Sequence, residues 1–87
     1  MNLMDLRKQI DEVDREWILL LKRRVDLVKR IAVVKKQSGL PALDLEREKT
    51  MTNSIRRQAM ELKLDPAYAE RLFLHMLAYM KIEMQVE

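Results

Sequence analysis

Arg24 is a permanent cation at a position where the residues around it require a hydrophobe. Leu3, Leu6, Ile10, Val13, Trp17, Leu20, Leu27, Ile31 and Val34 recur at alternating three- and four-residue steps, with position 24 in the same register. That spacing is the apolar seam of a long packed helix. A guanidinium keeps its proton, and burying it without a partner is costly, so an anion is expected to meet Arg24 inside the fold. The anion is either a structural carboxylate, such as Asp14 or an acid from a second chain, or a ligand.

Other charges fall into relation with Arg24. On an ideal helix Arg24 and Lys35 lie within ~20° of one face and ~16 Å apart along the axis, which leaves room for a small anion between two long side chains. Arg7 lies about 25 Å further down the same rod and points roughly 100° away, so within one chain it cannot share a small ligand with Arg24. In an antiparallel pair of such helices it could reach the partner's site. Taken singly, Arg7 and Lys35 also fit a solvated face with links such as Arg7–Asp11. Asp44, Arg47, Glu48 and Met51 share one face of a second helix, where Asp44 also suits a helix cap and Glu48 a favourable first-turn charge. Trp17 reads as core, and His75, between Leu74 and Met76, as a surface or boundary residue.

The elements that must position these charges are helices. The 87 residues include one Gly, two Pro and no Cys, and Leu, Lys, Arg, Glu and Met are abundant, the composition of a single all-α domain spanning residues 1–87. Absence of Cys and a lone His75 disfavour a disulfide framework and a metal site. The net charge of +3 comes from 17 basic and 14 acidic residues, a mixed surface that does not suit nucleic-acid binding. No apolar run approaches a membrane span or a signal peptide, so a cytoplasmic location is expected.

Apolar periodicity and capping residues predict helices over about 4–37, 44–62 and 66–86. Ser38-Gly39-Leu40-Pro41 ends the first, Asp44 caps the second, and Asp65-Pro66 opens the third, whose stripe of Leu72, Phe73, Met76, Leu77, Met80 and Met84 reads as a core face. One helix of roughly 50 Å beside two shorter ones leaves half of its seam uncovered. The expectation is an intertwined homodimer.

These residues carry a family resemblance. Leu6-Arg7-Lys8-Gln9-Ile10-Asp11 with Asp14, Lys22-Arg23-Arg24, Lys35, Pro41, Asp44-Leu45-Glu46-Arg47-Glu48, and Tyr68 with Leu72-Phe73 together resemble the all-helical bacterial chorismate mutases, the AroQ type, over nearly the whole chain. The resemblance implies an intertwined dimer of three-helix subunits that converts chorismate to prephenate, with neither metal nor cofactor. It implies that Arg24 binds one substrate carboxylate, that Arg7 of the partner chain binds the other, and that Lys35 donates to the ether oxygen whose bond breaks. It further implies that Glu48 accepts from the ring hydroxyl, Arg47 buttresses the site near a carboxylate, and Asp44 lies beside the same hydroxyl or positions Lys35.

The chain departs from the family along one wall. The usual third-helix Gln or Glu that donates to the ether oxygen becomes Met84, a residue that cannot donate a hydrogen bond, and neighbouring Gln85 substitutes only if the helix shifts locally. A usual Ser becomes Met80, and an apolar lining position becomes Lys81. Alternative readings are a related enzyme acting on another dianion, namely 4-amino-4-deoxychorismate mutase or isochorismate pyruvate lyase, or a non-catalytic chorismate-binding regulatory module.

Overall fold

A computed structural model describes residues 1–86. It contains three helices, α1 (Leu3–Gln37), α2 (Leu45–Glu61) and α3 (Pro66–Ile82), and no strand among the described residues. Each helix start has a local cause. Asn2 and Asp5 form a reciprocal capping box at α1, Asp44 accepts the Arg47 amide at 2.9 Å at α2, and Asp65 accepts the amides of Ala67 and Tyr68 in front of Pro66 at α3.

The ends of α1 and α2 share one geometry. Gly39 adopts φ 68°, with Leu40 N–H donating to the Lys35 carbonyl at 2.9 Å and Gly39 N–H to that of Lys36 at 3.4 Å. Lys63 repeats this at φ 58°, with Leu64 N–H on the Ala59 carbonyl at 2.8 Å and Lys63 N–H on that of Met60 at 3.2 Å. Both are Schellman caps, the first built on the glycine that suits it and the second on a lysine that does not.

The third helix corrects an expectation. It stops at Ile82, short of residue 86; Glu83 caps it, Gln85 turns at φ 59°, and Val86 N–H returns to the Met80 carbonyl at 3.1 Å. The turn buries the Val86 side chain against Val28 and Met80, with Val25, Ala32, Met76 and Met84 around them. Met84 therefore lies beyond the helix, and the expected helical register does not apply to it.

Helices α2 and α3 form a tight hairpin, tied by ion pairs Arg56–Glu70 at 2.8 Å and Lys81–Glu48 at 2.9 Å. Helix α1 packs on the hairpin through a stripe of Val25, Val28 and Ala32, rotated from the seam that the periodicity picks out. The seam itself stays open. Every residue from 1 to 20 is exposed, Trp17 at 62% and Ile10 at 59%, and Leu27, Ile31 and Val34 continue the bare strip. The molecule measures 55 × 24 × 18 Å, with α1 setting its length.

Candidate active site

Arg24 lies on α1 at the boundary between the covered stripe and the open seam, and is half-buried. Its Nη1 donates to Met80 Sδ at 3.4 Å and its Nη2 to Met51 Sδ at 3.6 Å, and its guanidinium carbon stands 5.5 Å from the centre of the Phe73 ring. Thioethers are weak acceptors and an aromatic face supplies only a partial charge, so these contacts orient the guanidinium without neutralising it. Among the described residues no carboxylate forms an ion pair with it. Desolvation by burial, and secondarily the nearby Arg47 cation, push the Arg24 pKa below its usual value, though it stays protonated. Asp14 therefore does not serve as its structural counterion within the chain.

Arg24 and Arg47 open onto one cleft of about 430 Å³, with Phe73 at its wall and Asn53, Ser54 and Arg57 along its α2 side. That volume suits a small molecule. A strip of α2 at helical spacing (Arg47, Met51, Ser54, Arg57) thus carries two arginines toward the cleft. Sequence reasoning followed this strip only as far as Met51, although its spacing was there to continue.

The remaining candidates are placed around this cleft or away from it. Lys35 in the last turn of α1 donates from Nζ to the Ala42 carbonyl at 2.8 Å, tying the helix to the loop before α2. A separate cleft of about 340 Å³ lies between Lys35, Ala42, Met84 and Val86. Asp44 caps α2, accepting Arg47 N–H at 2.9 Å. Glu48 receives the Lys81 ammonium on both oxygens, at 2.9 and 3.2 Å, with the two side chains 18% and 29% exposed. Met80 is fully buried and serves as a floor for Arg24, whereas Met84 packs at the edge of the Val28 cluster. Arg7 stands on the open half of α1 beside Asn2, Met4 and Asp11, away from the others within one chain.

The structure therefore brings Arg24, Arg47, Met51 and Met80 together, joins Glu48 to Lys81, and leaves Arg7 apart. Phe73 beneath Arg24, and the grip of Lys81 on Glu48, were not anticipated. Both pairs join residues distant in sequence, which helical periodicity does not link. The one available signal was a lysine interrupting the apolar stripe of α3. Among the described residues no group of three or more acidic, histidine or cysteine side chains is placed to hold a metal ion, and no helix is long and apolar enough to cross a membrane.

Three helices place a guanidinium that pairs with no carboxylate among the described residues beside a second arginine, at the mouth of a small cleft, a geometry suited to a small anion. The chain belongs to the chorismate mutase type II family, whose sequence profile matches residues 6–85. It is 37% identical over 71 residues to a chorismate mutase of Methanocaldococcus jannaschii, covering 82% of this chain and 72% of that protein. It is 46% identical over 57 residues to a T-protein of Haemophilus influenzae, covering 66% of this chain and 15% of the T-protein. A bifunctional chorismate mutase/prephenate dehydratase of Aquifex aeolicus is 40% identical over 60 residues, or 69% of this chain and 17% of that protein. The chain thus spans most of the first relative and less than a fifth of the other two. No solved structure matches it significantly.

Proposed function

We propose that this chain is an isomerase that converts chorismate to prephenate, and that two copies build each site. The observation that carries the reading is Arg24: a half-buried cation held in place by two thioethers and a ring, with no carboxylate to neutralise it. A substrate carboxylate supplies the missing charge. Bidentate guanidinium–carboxylate pairing then fixes geometry as well as charge.

The rearrangement is unimolecular, so catalysis needs restraint and electrostatics rather than a nucleophile. Arg24 takes one carboxylate, Arg47 adds positive potential beside it, and Lys35 donates to the ether oxygen as its C–O bond breaks. Glu48 accepts from the ring hydroxyl, while Asp44 shapes the entrance of α2. Met80 and Met84 provide apolar wall in place of donors, so Lys35 carries the developing negative charge, a role worth about 3–4 kcal/mol by comparison with one oxyanion-hole donor.

The family resemblance assigns the second carboxylate to Arg7, which lies about 25 Å along α1 from Arg24 and so reaches the site only from a second copy. The bare seam supports the same conclusion. Leu3, Leu6, Ile10, Val13, Trp17 and Leu20 form an apolar strip along half of α1, and a second copy packed antiparallel on it would bring its own Arg7 toward Arg24. A cytoplasmic setting belongs to the same proposal, in keeping with the family the chain matches.

The test is direct. Purified protein incubated with chorismate should consume the diene absorbance and form prephenate. If only 4-amino-4-deoxychorismate or isochorismate reacts, the substrate assignment is wrong. If none reacts while chorismate still raises the melting temperature, the chain is a binding module.

A further inference from the structure

We propose that Lys81 is a positioning residue of the site, holding Glu48 fixed so that its carboxylate receives the hydrogen-bond donor on the substrate ring. This rests on the reading of the chain as a chorismate mutase. The Lys81 Nζ sits between both oxygens of Glu48, at 2.9 and 3.2 Å. Glu48 precedes Met51 by one helical turn, and Lys81 follows Met80. Both methionines touch Arg24, and the ion pair itself lines a second cleft with Thr52, Asn53 and Leu74 that adjoins the Arg24 cleft at Asn53.

The chemistry of the pair fits this task. At 18% and 29% exposure the two side chains are less screened by water than an ordinary surface pair. An ionised carboxylate accepts hydrogen bonds and donates none, and each of its oxygens can accept two. The bonds from Lys81 restrict the rotational freedom of the Glu48 carboxylate. A fixed acceptor near an arginine clamp favours a dianion whose ring carries an O–H or N–H over one that turns only an acceptor or an apolar group toward the carboxylate. The positive charge of Lys81 also offsets the repulsion between Glu48 and the incoming dianion.

A simple staple between α2 and α3 is the competing role for this pair, and kinetics separate the two. The ring donor contacts Glu48 in ground and transition states alike, so losing the fixed acceptor raises KM more than it lowers kcat. Lys81→Met is expected to raise KM for chorismate about tenfold with kcat within about threefold, and Lys81→Arg to restore KM to within about threefold. Glu48→Gln should raise KM at least as much, and adding Lys81→Met to it should change KM less than about twofold further, since Lys81 acts through Glu48. Should Lys81→Met not fold, Lys81→Gln carries the same expectation. No turnover by the unmodified chain would remove the chorismate mutase reading, and the proposal with it. Turnover by the unmodified chain, with an unchanged KM in the folded Lys81 variant or with fully additive effects of Lys81 and Glu48, overturns the proposal alone.

Discussion

Replacing Arg24 with methionine separates a ligand-binding cation from a structural one, because the two roles have opposite effects on stability. The guanidinium rests against Met51, Met80 and Phe73 and pairs with no carboxylate among the described residues. A thioether in its place packs against the same three side chains and removes a partly desolvated charge. The lost cation–π contact is worth about 0.5–1 kcal/mol. Relief of desolvation and the added apolar contact, both discounted because Arg24 is only half-buried, together supply about 1–2 kcal/mol. The net change is a gain between zero and about 1.5 kcal/mol, which for a domain of this size is up to roughly 6–12 °C in Tm. For the ligand the arithmetic runs the other way. Losing a bidentate, charge-assisted pair with a substrate carboxylate costs about 3–5 kcal/mol, or roughly 10² to 10³·⁵ in kcat/KM. The assays are thermal denaturation with and without chorismate, and turnover followed by diene absorbance. An Arg24→Met variant that loses several degrees of Tm while keeping kcat/KM within tenfold of the parent would refute this reasoning.

Three further predictions concern the parts around the site. Trp17→Asp on the bare seam is expected to convert a dimer to a monomer in sedimentation, with loss of activity, since each large apolar side chain buried contributes about 1.5–3 kcal/mol and the change occurs in both copies; an unmodified chain that sediments as a monomer would contradict it. Lys63→Gly should raise stability by about 0.5–1 kcal/mol in denaturant titration, because Lys63 holds a left-handed conformation at φ 58° that glycine adopts freely. Met84→Gln should lower stability by about 1–3 kcal/mol by setting an amide at the edge of the Val28, Met80 and Val86 cluster. It should bring no gain in kcat, since the residue lies past the last turn of α3; a faster variant would show that the helix continues in register through position 84.

The three helices were legible because their boundaries are written in local chemistry. Asp44, Asp65-Pro66 and Gly39 act on backbone groups within a few residues, and such effects survive without knowledge of the fold. The end of α3 was not legible, because the residues after Met80 include no glycine or proline and the turn at Gln85 is driven by burial of Val86 in a distant cluster. Lys63 hid the α2 cap because its left-handed turn is held by backbone hydrogen bonds to Ala59 and Met60 on a residue that does not favour that conformation. Of the two stripes on α1, the periodicity found the one that stays open, since Val25, Val28 and Ala32 form a shorter row that the longer seam outweighs. Arg24 stood out as a charge in an apolar register. Its thioether and phenyl contacts, and the Lys81–Glu48 pair, depend on residues from separate helices, which a one-dimensional pattern does not connect.

The central claim is that each site takes Arg24 from one chain and Arg7 from another, and mixing two inactive variants tests it most directly. Arg7→Ala and Arg24→Ala chains, each expected to be inactive alone, are unfolded together in equal amounts and refolded. Half of the resulting dimers are mixed, and each mixed dimer holds one site with both arginines intact, so activity should return to about a quarter of that of the unmodified protein. No recovery from a mixture shown to contain mixed dimers would contradict the account.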